Sequence, residues 1–275
     1  MFEATSAELV AWSLAALLTA LGIVVVVRRR RLPTDAAGGP VAGGCGDRRM
    51  VLLVAVVVPA VAFAVVAALM AAGRTLAWDL SVLHLAARHQ VPLVIDAATG
   101  VTTLGALPVV IVLLVAVLTV FLTMRRYRQA AFVLAATLLA LAAGGFGKVA
   151  FGRHRPDVFV SVHDWTFLTG NGGGDWSFPS GHTTAITALA TSLVVVLWAT
   201  RWRRPALIVA LLVCAGVGVT RVYLGTHYPT DVLAGWALGV AAVLAVRLAF
   251  GDPAARGAQR SHARLSGGDQ VESRS

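Results

Sequence analysis

The sequence is short of lysine, cysteine and charge, and each shortage excludes something. Only 13% of its 275 residues are charged, while 58% are hydrophobic, and the mean hydropathy of +0.80 lies well outside the range of soluble globular domains. Two cysteines are present. Cys45 stands in a polar connection and Cys214 inside an apolar run, a placement that offers neither a disulfide scaffold nor a thiolate metal site. The glycines at 172–174 are not followed by Gly-Lys-Ser/Thr, so they make no Walker loop. No basic residue precedes the first apolar run and Arg28–Arg31 follow it, the reverse of a secretory signal peptide. That end of the chain reads as a retained span with its N-terminus outside. The net charge of +10 does not imply nucleic acid, because the basic residues punctuate apolar runs instead of gathering on one face. They fit cytoplasmic loops and lipid headgroups, and the partner they imply is a bilayer.

What is abundant is long apolar sequence. A bilayer-spanning helix needs roughly 20 largely apolar residues, and such stretches fall near 9–27, 50–72, 97–122, 130–147, 183–200, 205–222 and 232–250. The expected fold is all-α, a polytopic bundle of about seven transmembrane helices. Residues 1–49 hold the first span and a cytoplasmic loop, 50–250 hold the remaining six, and 251–275 form a polar, disordered cytoplasmic tail. With the N-terminus outside, inward-facing segments hold 17 of the 23 basic residues, which follows the positive-inside bias. Residues 74–95, which combine Trp78, Leu80, Leu83 and Leu85 with His84, Arg88 and His89, read either as a helix lying in the interface or as a plain connection.

Three segments on the outer face carry polar chemistry. The single lysine stands at a span end in Lys148-Val-Ala-Phe-Gly-Arg-His-Arg155-Pro156, where basic residues also serve simply to snorkel toward headgroups. Phe178-Pro179-Ser180-Gly181-His182 opens the next span, and a helix N-terminus attracts anions through its unpaired N–H groups and dipole. Arg221 and Thr-His227-Tyr-Pro-Thr-Asp231 join the last two spans. A carboxylate near an imidazole fixes its tautomer and holds the other nitrogen ready to attack, which makes His227 the candidate nucleophile; a solvated polar pair has the same spacing. Asp157, Asp164 and Asp175 lack the spacing of a metal cluster. Trp165, Phe167, Trp176 and Phe178 are either belt aromatics or a lid and lateral entrance for a lipid chain.

Taken together, Lys-x6-Arg-Pro, Pro-Ser-Gly-His and Arg-x5-His-x3-Asp on one membrane face resemble the type 2 phosphatidic acid phosphatase superfamily, which includes bacterial acid phosphatases, lipid pyrophosphatases and vanadium haloperoxidases. The resemblance covers Lys148 to Asp231. It departs at Thr220, where the family usually has serine, and in carrying the extra span 9–27 ahead of the family's six-helix core. It implies a metal-independent, cofactor-free phosphatase domain at 50–250. His227 would then be the nucleophile, Asp231 its orienting group and His182 the general acid/base, with Lys148, Arg155, Ser180, Gly181 and Arg221 binding phosphate. The implied substrate is a lipid phosphomonoester or diphosphate of the phosphatidate, phosphatidylglycerol phosphate or undecaprenyl diphosphate type. Lipid phosphotransfer through the same phosphohistidine, and a non-catalytic lipid-binding or transport role, are the alternatives. Arginine in place of lysine and abundant Ala and Val suggest a GC-rich bacterial genome, hence a plasma membrane with the site outside. Oligomeric state is not written in the sequence.

Overall fold

The computed structural model describes residues 45–156, 176–251 and 253. The anticipated first span at 9–27, the loop aromatics Trp165 and Phe167 with the three loop aspartates, and the tail lie outside the described residues. Among the described residues eight α-helices follow in order: α1 (Cys45–Ala71), α2 (Leu76–Arg88), α3 (Pro92–Thr102), α4 (Leu107–Thr123), α5 (Tyr127–Phe151), α6 (Gly181–Leu197), α7 (Arg203–Tyr223) and α8 (Pro229–Phe250). The protein is an all-α, multi-pass membrane bundle. Among the described residues four helices are long and apolar enough to cross a bilayer, and the bent pair α3–α4 passes the same test when its two helices are taken together. The remaining apolar run, α6, has 17 residues, about 26 Å at 1.5 Å per residue. Its burial rather than its length marks it as the central helix: twelve of those residues are buried. Val51, Val112 and Leu212 meanwhile turn outward with more than half of their surface exposed, an arrangement that suits lipid and not water.

One span is not the straight helix that the run 97–122 predicts. It is broken, with a bend of 52° between Gly105 and Leu107. Pro108 explains the break, since in a continuous helix its ring would collide with the carbonyl four residues earlier. Ala106 accordingly takes an extended conformation and starts α4 afresh. The bend has a use, because Gly105 lies against His182. A Cβ there would sit 2.9 Å from the His182 Cβ and 2.8 Å from Val217.

The core joins Phe132, Val133 and Ala136 of α5 to Ala185, Ala188 and Leu189 of α6 and Val243 of α8. Lipid tails are as apolar as these side chains, so close backbone approach and internal satisfaction of hydroxyls hold such helices together. Thr184 Oγ1 donates to the Ser180 carbonyl at 2.8 Å and Thr137 Oγ1 to that of Val133 at 2.9 Å. Gly235 and Gly239, one turn apart on α8, admit α6 closely. A Cβ at Gly239 would lie 2.8 Å from Thr187 Cβ and 2.9 Å from the Thr184 carbonyl oxygen. Gly239→Val is therefore expected to cost about 1–3 kcal/mol through overpacking, read as a lowered thermal midpoint in detergent. Gly145→Ala, with nothing within 4 Å of the new methyl, serves as the control that keeps the midpoint.

The directions of α5 to α8 alternate along the chain. The C-termini of α5 and α7 and the N-termini of α6 and α8 consequently share one end of the bundle, where α2 also lies.

Candidate active site

Each segment reaches this end by a local device. Helix α5 ends where Gly152 adopts a left-handed conformation (φ +53°), and its N–H closes on the Lys148 carbonyl at 3.1 Å. The chain then turns into an extended stretch. His154 pairs antiparallel with Trp176, and the Ser177 N–H donates to the Arg153 carbonyl at 2.7 Å. This bridge sets Arg153 and Arg155 beside the start of α6. There the Ser180 N–H donates to the Asp231 carbonyl at 3.0 Å, locking the N-termini of α6 and α8 together. Phe178 anchors the turn from below against Phe63 and Phe151.

All eight side chains or backbone groups singled out in the sequence gather here. His227 is buried in the turn between α7 and α8. Its Nδ1 faces Asp231 Oδ2 at 3.4 Å, and its Nε2 lies 3.4 Å from Arg155 Nη1. Asp231 is held in turn, because the Tyr228 N–H donates to Oδ2 at 2.9 Å. With Nδ1 protonated toward the carboxylate, the lone pair of Nε2 points into the cationic group, which is the orientation a nucleophile needs. Arg155 also donates to the Thr226 carbonyl at 2.9 Å, and Lys148 Nζ to the Trp176 carbonyl at 2.8 Å. Lys148 lies close to Gly181, whose Cβ would meet its Cε at 3.6 Å. Arg221 is wholly buried and reaches Thr102 Oγ1 at 3.5 Å. The Ser180 hydroxyl pairs with Thr183 Oγ1 at 2.9 Å. His182 is buried too, and its Nε2 has no hydrogen-bond partner among the described residues. A buried polar atom left so is costly. It is the mark of a group shaped for a ligand.

The electrostatics suit an anion. Lys148, Arg155 and Arg221 act on both imidazoles. Burial first, and then the charges of Arg221, Arg155 and Lys148, push the His227 imidazole well below its ordinary value of 6.5. The ring is thus neutral at neutral pH. Linkage gives the sign. The unfolded chain takes up this proton as pH drops through about 6.5 and the folded protein does not, so stability present above that pH is lost below it. Histidine-selective NMR of the ligand-free protein is expected to show His227 neutral well below pH 6.5. In Arg155→Gln its titration should move upward, because one repelling charge has gone.

Two residues of this region were not singled out by the sequence. Arg153 donates from Nη1 to Asp231 Oδ1 at 2.7 Å and from Nη2 to Asp79 Oδ2 at 2.7 Å, while its guanidinium lies 3.8 Å over the Tyr228 ring. Asp79, on α2, is completely buried. One signal was available. Asp79 and Leu83 stand four apart on the buried side of α2, and an acidic residue on the inward stripe of a helix calls for a partner. Among the described residues, no three His, Cys, Asp or Glu side chains come together as a metal site.

Fold and site together define a helical membrane protein with a cation-lined, histidine-bearing anion site at one end of its bundle. Residues 129–253 match the model of the PAP2 superfamily, and it is through this region that the chain resembles that superfamily. Similar proteins include a lipid A 1-phosphatase of Rhizobium etli, 39% identical over 34% of this chain and 38% of the relative. An undecaprenyl-diphosphatase of Sulfolobus acidocaldarius is 32% identical over 37% of this chain and 46% of the relative. The matched stretch thus spans less than half the length of these curated relatives. The crystal structure of a transmembrane PAP2-type phosphatidylglycerolphosphate phosphatase from Bacillus subtilis superimposes with a TM-score of 0.62 at 25% identity, covering 70% of this chain and 94% of that one.

Proposed function

We propose that the protein is a membrane phosphatase that removes phosphate from a lipid phosphomonoester or lipid diphosphate by way of a phosphohistidine on His227. One observation carries this reading: two buried imidazoles, His182 and His227, share one end of the bundle with Lys148, Arg155 and Arg221. In the reaction His227 Nε2 bonds to phosphorus as the bond from phosphorus to the leaving oxygen breaks. His182 gives that oxygen a proton. Water then attacks the phosphohistidine, surrenders a proton to His182 and leaves inorganic phosphate and free His227. Lys148, Arg155 and Arg221, with the Gly181 N–H at the start of α6, hold the equatorial oxygens whose charge the transition state must stabilise. These cations supply the charge that metal ions provide in other phosphoryl-transfer sites.

The arginine distribution, 17 basic residues against six, supports placing this end of the bundle at the outer face of a bacterial plasma membrane and the C-terminus in the cytoplasm. The relatives are named for lipid A, undecaprenyl diphosphate and phosphatidylglycerol phosphate. A phosphoryl group on a lipid is what those names share, and the residues gathered here address the phosphoryl group alone. The test is phosphate release by purified protein, in EDTA, from phosphatidate, phosphatidylglycerol phosphate and undecaprenyl diphosphate, with His227→Ala as blank. Turnover of at least one lipid is expected. Failure on all three lipids, or a blank as active as the wild type, would defeat the proposal.

A further inference from the structure

Asp79 and Arg153 touch none of the reacting atoms, yet they lie directly behind those that do. Arg153 bridges two buried carboxylates that come from helices far apart in sequence, Asp79 on α2 and Asp231 on α8, at 2.7 Å each. Asp79 is then filled by a second and third contact. The Thr230 N–H donates to Oδ1 at 3.0 Å and Thr230 Oγ1 to Oδ2 at 2.7 Å. Every oxygen of Asp231 is engaged as well, Oδ1 by Arg153 and Oδ2 by the Tyr228 N–H and His227. The carboxylate plane that faces the His227 Nδ1 is thereby fixed from behind.

Charge gives the cluster a purpose beyond tethering. Two carboxylates and one guanidinium carry a net charge of minus one. A guanidinium alone against Asp231 would cancel the field that this carboxylate exerts on the imidazole. Asp79 takes up the Arg153 charge, so Asp231 still meets His227 as an anion. That matters most when Nε2 bonds to phosphorus, because the ring then becomes cationic.

We infer that Asp79 and Arg153 are positioning residues for the nucleophile: Arg153 orients Asp231, and Asp79 offsets the Arg153 charge so that Asp231 can stabilise the phospho-imidazolium. The inference rests on His227 being that nucleophile. A plain structural clip between α2 and α8 predicts something different. Weakening a clip would open the site to water and relieve the desolvation of His227, whereas removing the Asp79 charge from an intact site leaves the imidazole with less negative charge nearby.

The two accounts therefore move the His227 titration in opposite directions. The groups facing that ring are Lys148 at the end of α5, Arg155 after it, His182 on α6, Arg221 on α7 and Asp231 on α8. Arg153 and Asp79 act through the last of these. In the full chain in detergent, Asp79→Asn is expected to lower kcat on the lipid that the wild type turns over by about 10- to 100-fold, the usual loss when a supporting partner goes. KM should stay within about twofold, and the His227 NMR midpoint should stay at or below the wild-type position. Unchanged kcat, a loss confined to KM, or a midpoint that climbs toward the ordinary histidine value would overturn the inference. Should Asp79→Asn fail to accumulate folded, Thr230→Val removes one of the donors to Asp79 and is read by the same three measurements, with a smaller fall in kcat. His227→Ala run in parallel separates the failures. An active His227→Ala sinks the nucleophile itself, while an inactive one beside an unimpaired Asp79→Asn sinks only the positioning role.

Discussion

Replacing His227 by alanine is expected to reduce turnover by about 10⁴-fold or more, the scale of loss when a nucleophile is removed from an assembled catalytic group. The loss should fall on kcat. Lys148, Arg155 and Arg221 stay in place, so lipid phosphate should still bind, but among the described residues no other group is both buried beside Asp231 and directed at the three cations. Rapid acid or base quenching supplies the direct readout. Wild-type protein mixed with radiolabelled substrate should trap an alkali-stable, acid-labile label, as a phosphorus–nitrogen bond requires, and His227→Ala should trap none. Near-normal turnover in the variant, or a label that survives the substitution, would place the nucleophile elsewhere.

His182 should give the second-largest effect, and one that depends on the substrate. As the proposed proton donor to the leaving oxygen it would contribute the 10²- to 10⁴-fold, roughly, that general acid catalysis supplies. His182→Ala should lose that factor with a lipid phosphomonoester, whose alkoxide leaves only when protonated. An aryl phosphate with an acidic phenol needs no such help, so the first step should be nearly preserved. Water attack on the phosphohistidine would still lack its base. The variant is therefore expected to release one equivalent of phenol in a burst and then stall with the enzyme phosphorylated. Equal losses on both substrates with no burst would show that His182 does not handle the proton, and its buried Nε2 would need another explanation.

The residues of the candidate site were more legible in the sequence than the fold around them, for a physical reason. Phosphate binding needs residues of fixed type at short spacing around helix ends, and Lys148, Arg155, Ser180, Gly181, His182, Arg221, His227 and Asp231 all sit within such local patterns. The apolar runs located five of the helices and the bent pair to within a turn or so. The break at Gly105 escaped, although Pro108 was in view, because hydropathy does not register a bend whose residues remain apolar. Asp79 and Arg153 escaped for a different reason. Arg153 looked like one more outward cation, and the residue that completes it lies 74 positions earlier. Pairing across that distance is a property of the packed bundle. The close seat of α6 on Gly235 and Gly239 was legible in principle, since two glycines four apart in an apolar run are a known signal for helix approach.

The pairing of Asp79 with Thr230 bears on where this protein can be cut. Thr230 stands in the first turn of α8, and the carboxylate that accepts its N–H comes from 151 residues upstream. The stretch that matches the superfamily begins at residue 129, after Asp79, after Thr102 and after the bend that seats His182. An excised fragment drawn at that boundary would keep every residue expected to touch phosphate. It would also leave the start of α8 without its acceptor and Arg153 with one carboxylate in place of two. The recognisable part of the chain is thus smaller than the working part, and the difference is an acid borrowed from a short helix outside it.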